Sequence, residues 1–551
     1  MKRFRAGLLT LVFLVPLASP CAAVEKPAGY DAMFVKMTEV PKNLLTGEVF
    51  FVEITVRNTG AQGWGPENEK HTVLRSQEPA DNETWGTFFI TQGQGTNVPP
   101  GKDFTYHSWL MAPATPGEYV FQWRPGKFEG EGYAGRVALF GEATPRLAIQ
   151  VGQRPAEPSS VPPPQDPSGK QVLTFDDFEY VGSFRIPDRE GHDLPFSHSG
   201  LALRKMKDGT KRLFFNYTHP KTSLVEMEIP PLVKMDETHG PAALKVAEVK
   251  KVWGRLEIKV PKEKLSNQHE SVWANGGFCW DEDRKTLYWT WWDGYWCGNP
   301  PPVLGASRLD EDGTITHLGP WTVTPGMYKW YWGGVIRLPQ PFATKYTGGK
   351  TLALGFGTGY SGTYADSHGP SLSVITDPDP RQGAVEATGL LGYYKGESAP
   401  RDGRCFIATN DAGRDSWLGK QPDSPTKGYC GAGDLVRNGI FIETPKKHAF
   451  IAFVNLQIGR VGYDYGSGYA PGRANCWYFY DPKDLGEAAQ GRKGLAILPR
   501  SRTNVDPPGG KDARPSLPNY ITGSSFDEEE KVLYVYTFLT GKGRIDAYRL
   551  K

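Results

Sequence analysis

The chain has 551 residues, with 63 basic and 61 acidic side chains and a net charge of +2. Charges so evenly balanced and interspersed leave no electrostatic footprint for nucleic acid or an anionic membrane surface. Gly 65 and Pro 46 stay below the share of a disordered chain and fit a turn-rich β protein, and the length predicts more than one domain.

Residues 1–23 read as a signal peptide: basic "MKRFR", the apolar run "AGLLTLVFLVPLA", then small residues, with cleavage after Ala23. The apolar run is too short for a membrane span and no later stretch approaches one. The expectation is an exported protein, secreted or periplasmic. Five cysteines remain after cleavage, Cys279, Cys297, Cys405, Cys430 and Cys476. An odd count leaves at least one thiol, and no Cys-x-x-Cys pair points to zinc or redox chemistry.

Residues 29–151 carry short β patterns, among them "VFFVEITVRNTG", "FTYHSWLMA" and "GEYVFQWRP", punctuated by Gly, Pro and Asn clusters at sandwich spacing. Trp64, Trp85, Trp109 and Trp123 are spread through them. With "VRNTGAQGWGPEN", "VPPGKDFTYHSWLMAPATPGEYVFQWR" and "LFGE", roughly residues 31 to 151 resemble the four-tryptophan Ig-like domain of autophagy cargo receptors. That domain also occurs in bacterial secreted proteins. The resemblance implies an Ig-like β-sandwich acting as an accessory module, its tryptophans in the core. Residues 152–172 hold six prolines and almost nothing apolar, the composition of a semi-extended linker.

Residues 173–551 repeat. Five times a Gly opens an apolar strand, a turn follows, and a second apolar strand returns: "SGLALRKMKDGTKRLFFNY", "GGFCWDEDRKTLYWTW", "GGVIRLPQPFATKYTGGKTLALGF", "NGIFIETPKKHAFIAFV" and "TGSSFDEEEKVLYVYTF". The anchor glycines are Gly200, Gly277, Gly334, Gly439 and Gly523. A third strand follows each pair. Fourth strands follow the first four in "AEVKKVWG", "ITHLGPWTV", "EATGLLGYY" and "GLAILPRS". The last copy runs out of chain, and "FEYVGSFRIP", left over before the first copy, supplies its missing strand. Closure by an N-terminal strand is how propellers remove their free edges. The predicted architecture is all-β, an Ig-like sandwich followed by a five-bladed β-propeller.

In such a repeat, turns between strands one and two share a face, and here they are short and charged, as in "DEDRK" and "DEEEK". Turns between strands two and three share the other face with the crossovers. There aromatics, histidines and glycines gather, in "WWDGYWCGNPPP", "GTGYSGTYADSHGP", "GHDLPFSHS", "SNQHESVWAN" and "PGMYKWYW". Nine of the sixteen tryptophans lie between Trp273 and Trp332. Trp289 and Trp291 are expected between stacked sheets. Tyr295, Trp296, Trp330, Tyr331 and Trp332 are expected to meet a ligand, since flat rings with a polar edge suit sugar faces.

A five-bladed propeller with a central pocket resembles, in architecture only, the arabinanase and xylosidase group and the levanase and invertase group of glycosidases. Their local motifs are not matched here, so no catalytic residue carries over. From position alone, Glu270, Asp434 and Asp193 precede anchor glycines in different repeats and are the expected catalytic acids, with Glu270 and Asp434 as the pair. Glycoside hydrolysis needs one carboxyl protonated and a second ionised. His198, His269, Asp366, His368, Arg437 and Tyr520 join the aromatics as expected substrate contacts.

No cofactor is demanded. His192, His198, His269 and His368 with Asp193, Glu270 and Asp366 nevertheless offer a divalent cation such as Ca2+ as an alternative, without diagnostic spacing. A His–Tyr pair with Arg437, Arg473 or Lys329 neutralising a uronate would instead make a polysaccharide lyase, and a glycan-binding propeller needs no acids at all. Unequal loops from repeat to repeat favour one central site. The expected partner is a polysaccharide or oligosaccharide and the expected state a monomer. "GYSGTY" and "GTGYSG" lack the spacing and context of a nucleophile elbow or a nucleotide loop.

Overall fold

A computed structural model of the protein describes residues 26–46, 49–65, 72–80, 82, 84–85, 89–91, 97–113, 115–129, 136–153, 169–187, 200–217, 223–235, 241–261, 265, 270–291, 302–324, 331, 333–356, 368–394, 435–458, 472–505, 520–538 and 543–551. These residues are almost entirely strand, with two short α-helices among them, Gln340–Tyr346 and Pro482–Ala489.

The N-terminal strands form three small sheets. Val49–Asn58 lies between Ala32–Met37 and Asp103–Met111. Leu147–Gly152 runs parallel to Asn43–Leu45 and antiparallel to Gly117–Phe121. The third sheet takes the order Phe89–Thr91, Thr72–Ser76, Trp123–Glu129, Arg136–Leu139. Period-two alternation along Val49–Asn58 sends Val52, Ile54 and Val56 into the core, where they meet Trp64, Trp85 and Trp123, all three rings fully buried. Trp85 Nε1 donates to the Val120 carbonyl at 2.9 Å, and its ring meets Phe50 and Phe121 edge-on. That arrangement satisfies both the apolar body and the polar edge of an indole. The Trp109 side chain lies outside the described residues.

The C-terminal strands form five antiparallel sheets, each in sequential up-and-down order. The first comprises Ala202–Lys205, Lys211–Tyr217, Ser223–Glu228 and Val249–Gly254. Phe278–Asp281, Thr286–Thr290, Leu304–Leu309 and Ile315–Thr324 make the second. The third is built from Gly334–Arg337, Leu352–Gly355, His368–Ile375 and Ala384–Tyr394. The fourth runs Leu435–Glu443, Lys447–Ile458, Gly472–Tyr480 and Ser501–Asn504. In the fifth, Tyr520–Asp527, Val532–Phe538 and Arg544–Leu550 are followed by Phe178–Arg185, which pairs along the last strand from Phe178–Leu550 to Arg185–Arg544. The leftover N-terminal strand thus completes the last sheet.

The first strands of the five sheets touch one another in a closed cycle. Apolar clusters fill the spaces between successive sheets, and Trp289, Trp291, Trp321 and Trp477 are fully buried there. Burial of this kind contributes about 1.5–3 kcal/mol per large side chain.

The charged hairpins stitch neighbouring sheets together. In "DEDRK", Asp281 Oδ1 accepts from the Arg284 amide at 3.1 Å while Oδ2 takes an Arg337 N–H of the third sheet at 2.6 Å. In "DEEEK", Asp527 Oδ1 accepts the Glu529 and Glu530 amides and Oδ2 takes Lys211 of the first sheet at 2.5 Å. Both hairpins end on a lysine in the left-handed region, Lys285 at φ 49° and Lys531 at φ 57°.

Three features depart from the sequence reading. "GLAILPRS" is not the fourth strand of its sheet. Ser501–Asn504 takes that place, and Leu495 and Ile497 instead cover the cluster beneath the helix Pro482–Ala489. A short hairpin, Glu257–Lys259 with Ser271–Trp273, stands between the first and second sheets. The outer strands of the second and third sheets pair in parallel over Thr322–Thr324 and Ala384–Glu386, fusing the two into one eight-stranded sheet.

Cys279 is a buried thiol, and burial pushes it up to about 11. A thiolate is the reactive form, so Cys279 is expected to resist alkylation in the folded protein and to react only in denaturant. Peptide mapping of iodoacetamide-treated protein checks this. Labelling of Cys279 under native conditions would contradict it.

Candidate functional site

The five anchor glycines explain how the first strands come so close. Gly200 N donates to the Gly276 carbonyl at 3.0 Å, and a Cβ on Gly200 would lie 2.8 Å from the Gly277 Cα. A Cβ on Gly277 would lie 2.7 Å from the Gly334 Cα, and one on Gly523 would lie 2.8 Å from Leu201 N. Between the third and fourth sheets the Phe356 ring is wedged against Gly334 and Gly439, fully buried and at φ 70°. Only residues without a side chain permit backbones to meet at these distances.

Each first strand begins at the crossover end of its sheet, so the residues just ahead of the glycines line that end of the cycle. Buried polar side chains collect there. Asn438 Nδ2 donates to the Thr522 carbonyl at 3.2 Å, and Ser524 Oγ donates to Asn438 Oδ1 at 2.5 Å, joining the fourth and fifth sheets. Asn216 Nδ2 donates to the Ala274 carbonyl at 2.7 Å, and Thr290 Oγ1 accepts from Gly277 N at 3.0 Å. Arg437, one residue before Asn438, is buried, as are Asn275 and Thr522. Amide and hydroxyl groups with one guanidinium thus gather at this end, the mouth of the cycle.

Of the residues expected from sequence, Arg437 is at this mouth. Glu270 is exposed, at the loop end of the hairpin Glu257–Lys259 with Ser271–Trp273, its carbonyl accepting from Val260 N at 3.0 Å. Five extended residues separate it from Asn275, about 16 Å along the chain. Tyr331 is buried in the cluster between the second and third sheets. Burial pushes its phenol up to about 12, against the pull of its hydrogen bond with Ser373. His368 and Tyr520 begin the strands His368–Ile375 and Tyr520–Asp527, and Arg473 is in Gly472–Tyr480. The side chains of these three lie outside the described residues. So do Asp193, Asp434, His192, His198, His269, Tyr295, Trp296, Lys329, Trp330, Trp332 and Asp366. Among the described residues no three His, Cys, Asp or Glu side chains gather as a metal site.

Asn438, Thr522 and Ser524 escaped the sequence reading. Their signal was present all the same: Asn438 and Thr522, like Ser199, stand directly before an anchor glycine.

No family model and no curated protein matches the chain. Solved structures align loosely. A GH43 endo-arabinanase from Bacillus licheniformis aligns at 10% identity and a TM-score of 0.30, covering 65% of this chain and 94% of that one. An auxiliary nutrient binding protein from Bacteroides thetaiotaomicron aligns at 11% identity and a TM-score of 0.23, covering 94% and 98%. The β-propeller domain of a Myceliophteria thermophila protein aligns at 10% identity and 0.24, covering 68% and 100%. At these scores neither fold nor activity transfers, and both rest on the chain's own residues.

Proposed function

We propose that residues 29–151 are an accessory Ig-like sandwich, that residues 173–551 are a five-bladed β-propeller, and that the exported protein is a glycoside hydrolase with one central pocket. The observation that supports this most is the closed cycle of five first strands, with buried polar side chains at its crossover end. The loops richest in aromatics and histidines belong to that same end by sequence. Rigid scaffolds place binding residues on such loops.

In this reading Glu270 and Asp434 act as the acid pair, one giving a proton to the leaving oxygen and the other ionised as nucleophile or base. Asp193 assists from the first sheet's crossover. Tyr295, Trp296, Trp330 and Trp332 stack on sugar rings, and His198, His269, Asp366, His368 and Tyr520 hydrogen-bond hydroxyl groups. Eliminative cleavage of a uronic acid polymer is the second reading, favoured by the buried Arg437 at the mouth.

Mass spectrometry of products from a panel of neutral and acidic polysaccharides separates these. Hydrolysis adds one water per cut, and Glu270→Gln or Asp434→Asn is expected to slow it by about 10²–10⁴-fold. Unsaturated products lighter by that water would replace hydrolysis with a lyase. Retention on a polysaccharide without any product would leave a binding protein.

A further inference from the structure

The first strands of the fourth and fifth sheets share a feature. Ahead of the anchor glycine the antiparallel register slips by one residue. Val436 faces Val454 and Asn438 faces Phe453, leaving Arg437 as the extra residue. Ile521 faces Thr537 and Gly523 faces Tyr536, leaving Thr522. In the first three sheets the paired part of the first strand begins only at or after the anchor glycine, and ahead of Gly277 the Asn275 and Gly276 amides both donate to the Thr290 carbonyl, at 3.2 and 2.9 Å. A β-bulge breaks the alternation of a strand and re-aims the extra side chain, and bulges concentrate beside active sites.

The two bulges are neighbours across one seam. Asn438, adjacent to Arg437, donates to the carbonyl of Thr522 itself at 3.2 Å, and Ser524 Oγ closes the bridge on Asn438 Oδ1. Arg437 is 4% exposed and Thr522 0%. Thr522 Oγ1 has no hydrogen-bond partner among the described residues. A buried hydroxyl left unpaired in a native fold calls for a ligand or a water.

We propose that these paired bulges form an anion seat in the central site, where Arg437 and Thr522 Oγ1 hold the carboxylate of an acidic sugar. The proposal rests on the central-site reading above. A guanidinium offers two parallel N–H donors to the two oxygens of a carboxylate, and a threonine hydroxyl adds a third donor. One positive charge matches one carboxylate better than the nearly doubly charged phosphate monoester. Asn438 and Ser524 bond to each other and to the opposite strand, so they are positioning residues that hold the two bulges in register.

Isothermal titration calorimetry of the full mature chain tests this with oligosaccharides from pectate and alginate, each beside its methyl-esterified counterpart. Esterification keeps the sugar ring and linkage and removes the charge. At least one acidic oligosaccharide is expected to bind ten-fold or more tightly than its ester. Arg437→Gln and Thr522→Val are each expected to erase that preference, weakening the acid far more than the ester. Thr522→Ser, which restores a hydroxyl, is expected to recover it, and its binding guards against a folding artefact. Equal affinity for acid and ester, or equal weakening of both by the variants, would overturn the seat. Binding of a neutral arabinan or xylan fragment that Arg437→Gln leaves untouched would overturn the seat while sparing the central site. Failure to bind any member of the panel would overturn both.

Discussion

Replacing Asp546 by alanine is expected to destabilise the C-terminal sheets by about 3–5 kcal/mol, because it strips one partner from a buried ion pair. Asp546 lies on the last strand, with its side chain and that of Arg544 each 3% exposed. Arg544 Nε stands 2.7 Å from Asp546 Oδ1, and Arg544 Nη2 donates to Oδ2 at 3.1 Å. Ser183, on the closing N-terminal strand, donates to Oδ1 at 2.5 Å, and the Tyr180 hydroxyl meets Ser183 Oγ at 2.7 Å. Thr537 Oγ1 reaches Oδ2 at 3.4 Å. One carboxylate therefore clasps the closing N-terminal strand to the last, across a sequence separation of 363 between Ser183 and Asp546. Alanine would leave Arg544 buried beside polar groups that had faced a negative charge. It would also loosen the strand that covers the edge of Arg544–Leu550, and an open edge invites pairing with other chains. Hydrogen–deuterium exchange should rise first in residues 178–187 and 544–550. Exchange in those peptides equal to wild type, with an unchanged urea midpoint, would refute the clasp. Ser183→Ala removes one hydroxyl donor to that carboxylate and is expected to cost less, about 1.5–3 kcal/mol.

The repeat and its closure were legible because each depends on a local, repeated device. Every copy needed a glycine where first strands meet, and "DEDRK" and "DEEEK" carry the same Asp-capped hairpin ending on a left-handed lysine. What the reading missed was governed by longer-range packing. "GLAILPRS" looked like a strand because it is apolar, but Ile497 and Leu495 serve as a cover for the cluster below. Both helices were missed. In Pro482–Ala489 the signals were there, with Asp481 accepting from Lys483 N and Pro482 opening the first turn. In Gln340–Tyr346 a turn was expected, although Phe342 and Ala343 are buried. At the site, charge on the crossover brought out Arg437, while Thr522 and Asn438 passed unnoticed beside their glycines, since a one-residue bulge leaves no compositional mark. Ring content alone was no guide to exposure: Tyr331 shares the aromatic loop of Trp330 and Trp332, yet it packs under the second and third sheets.

Gly277→Ala is expected to be strongly damaging although it adds a single methyl at the chain's centre. Its Cβ would sit 2.7 Å from the Gly334 Cα, 3.4 Å from the Gly333 carbonyl oxygen and 3.4 Å from Val335 N. These are backbone atoms, so no flexible side chain can swing aside. Gly277 N also donates to Thr290 Oγ1 within its own sheet, and Thr290 N donates to the Gly277 carbonyl at 3.3 Å. Relief therefore requires the second and third sheets to separate at the axis. Their outer strands resist, because Thr322–Thr324 and Ala384–Glu386 are hydrogen-bonded to each other. With both edges pinned, overpacking is expected to reach or exceed the upper end of the usual range of about 1–3 kcal/mol. Gly383→Ala is the matched control. No atom lies within 4 Å of its Cβ position, so it should change stability by less than about 0.5 kcal/mol. Denaturant midpoints of the two variants decide the matter. If Gly277→Ala unfolds at the same concentration as Gly383→Ala, the first strands do not meet at their glycines, and the closed cycle on which the central site depends is not the working form of the molecule.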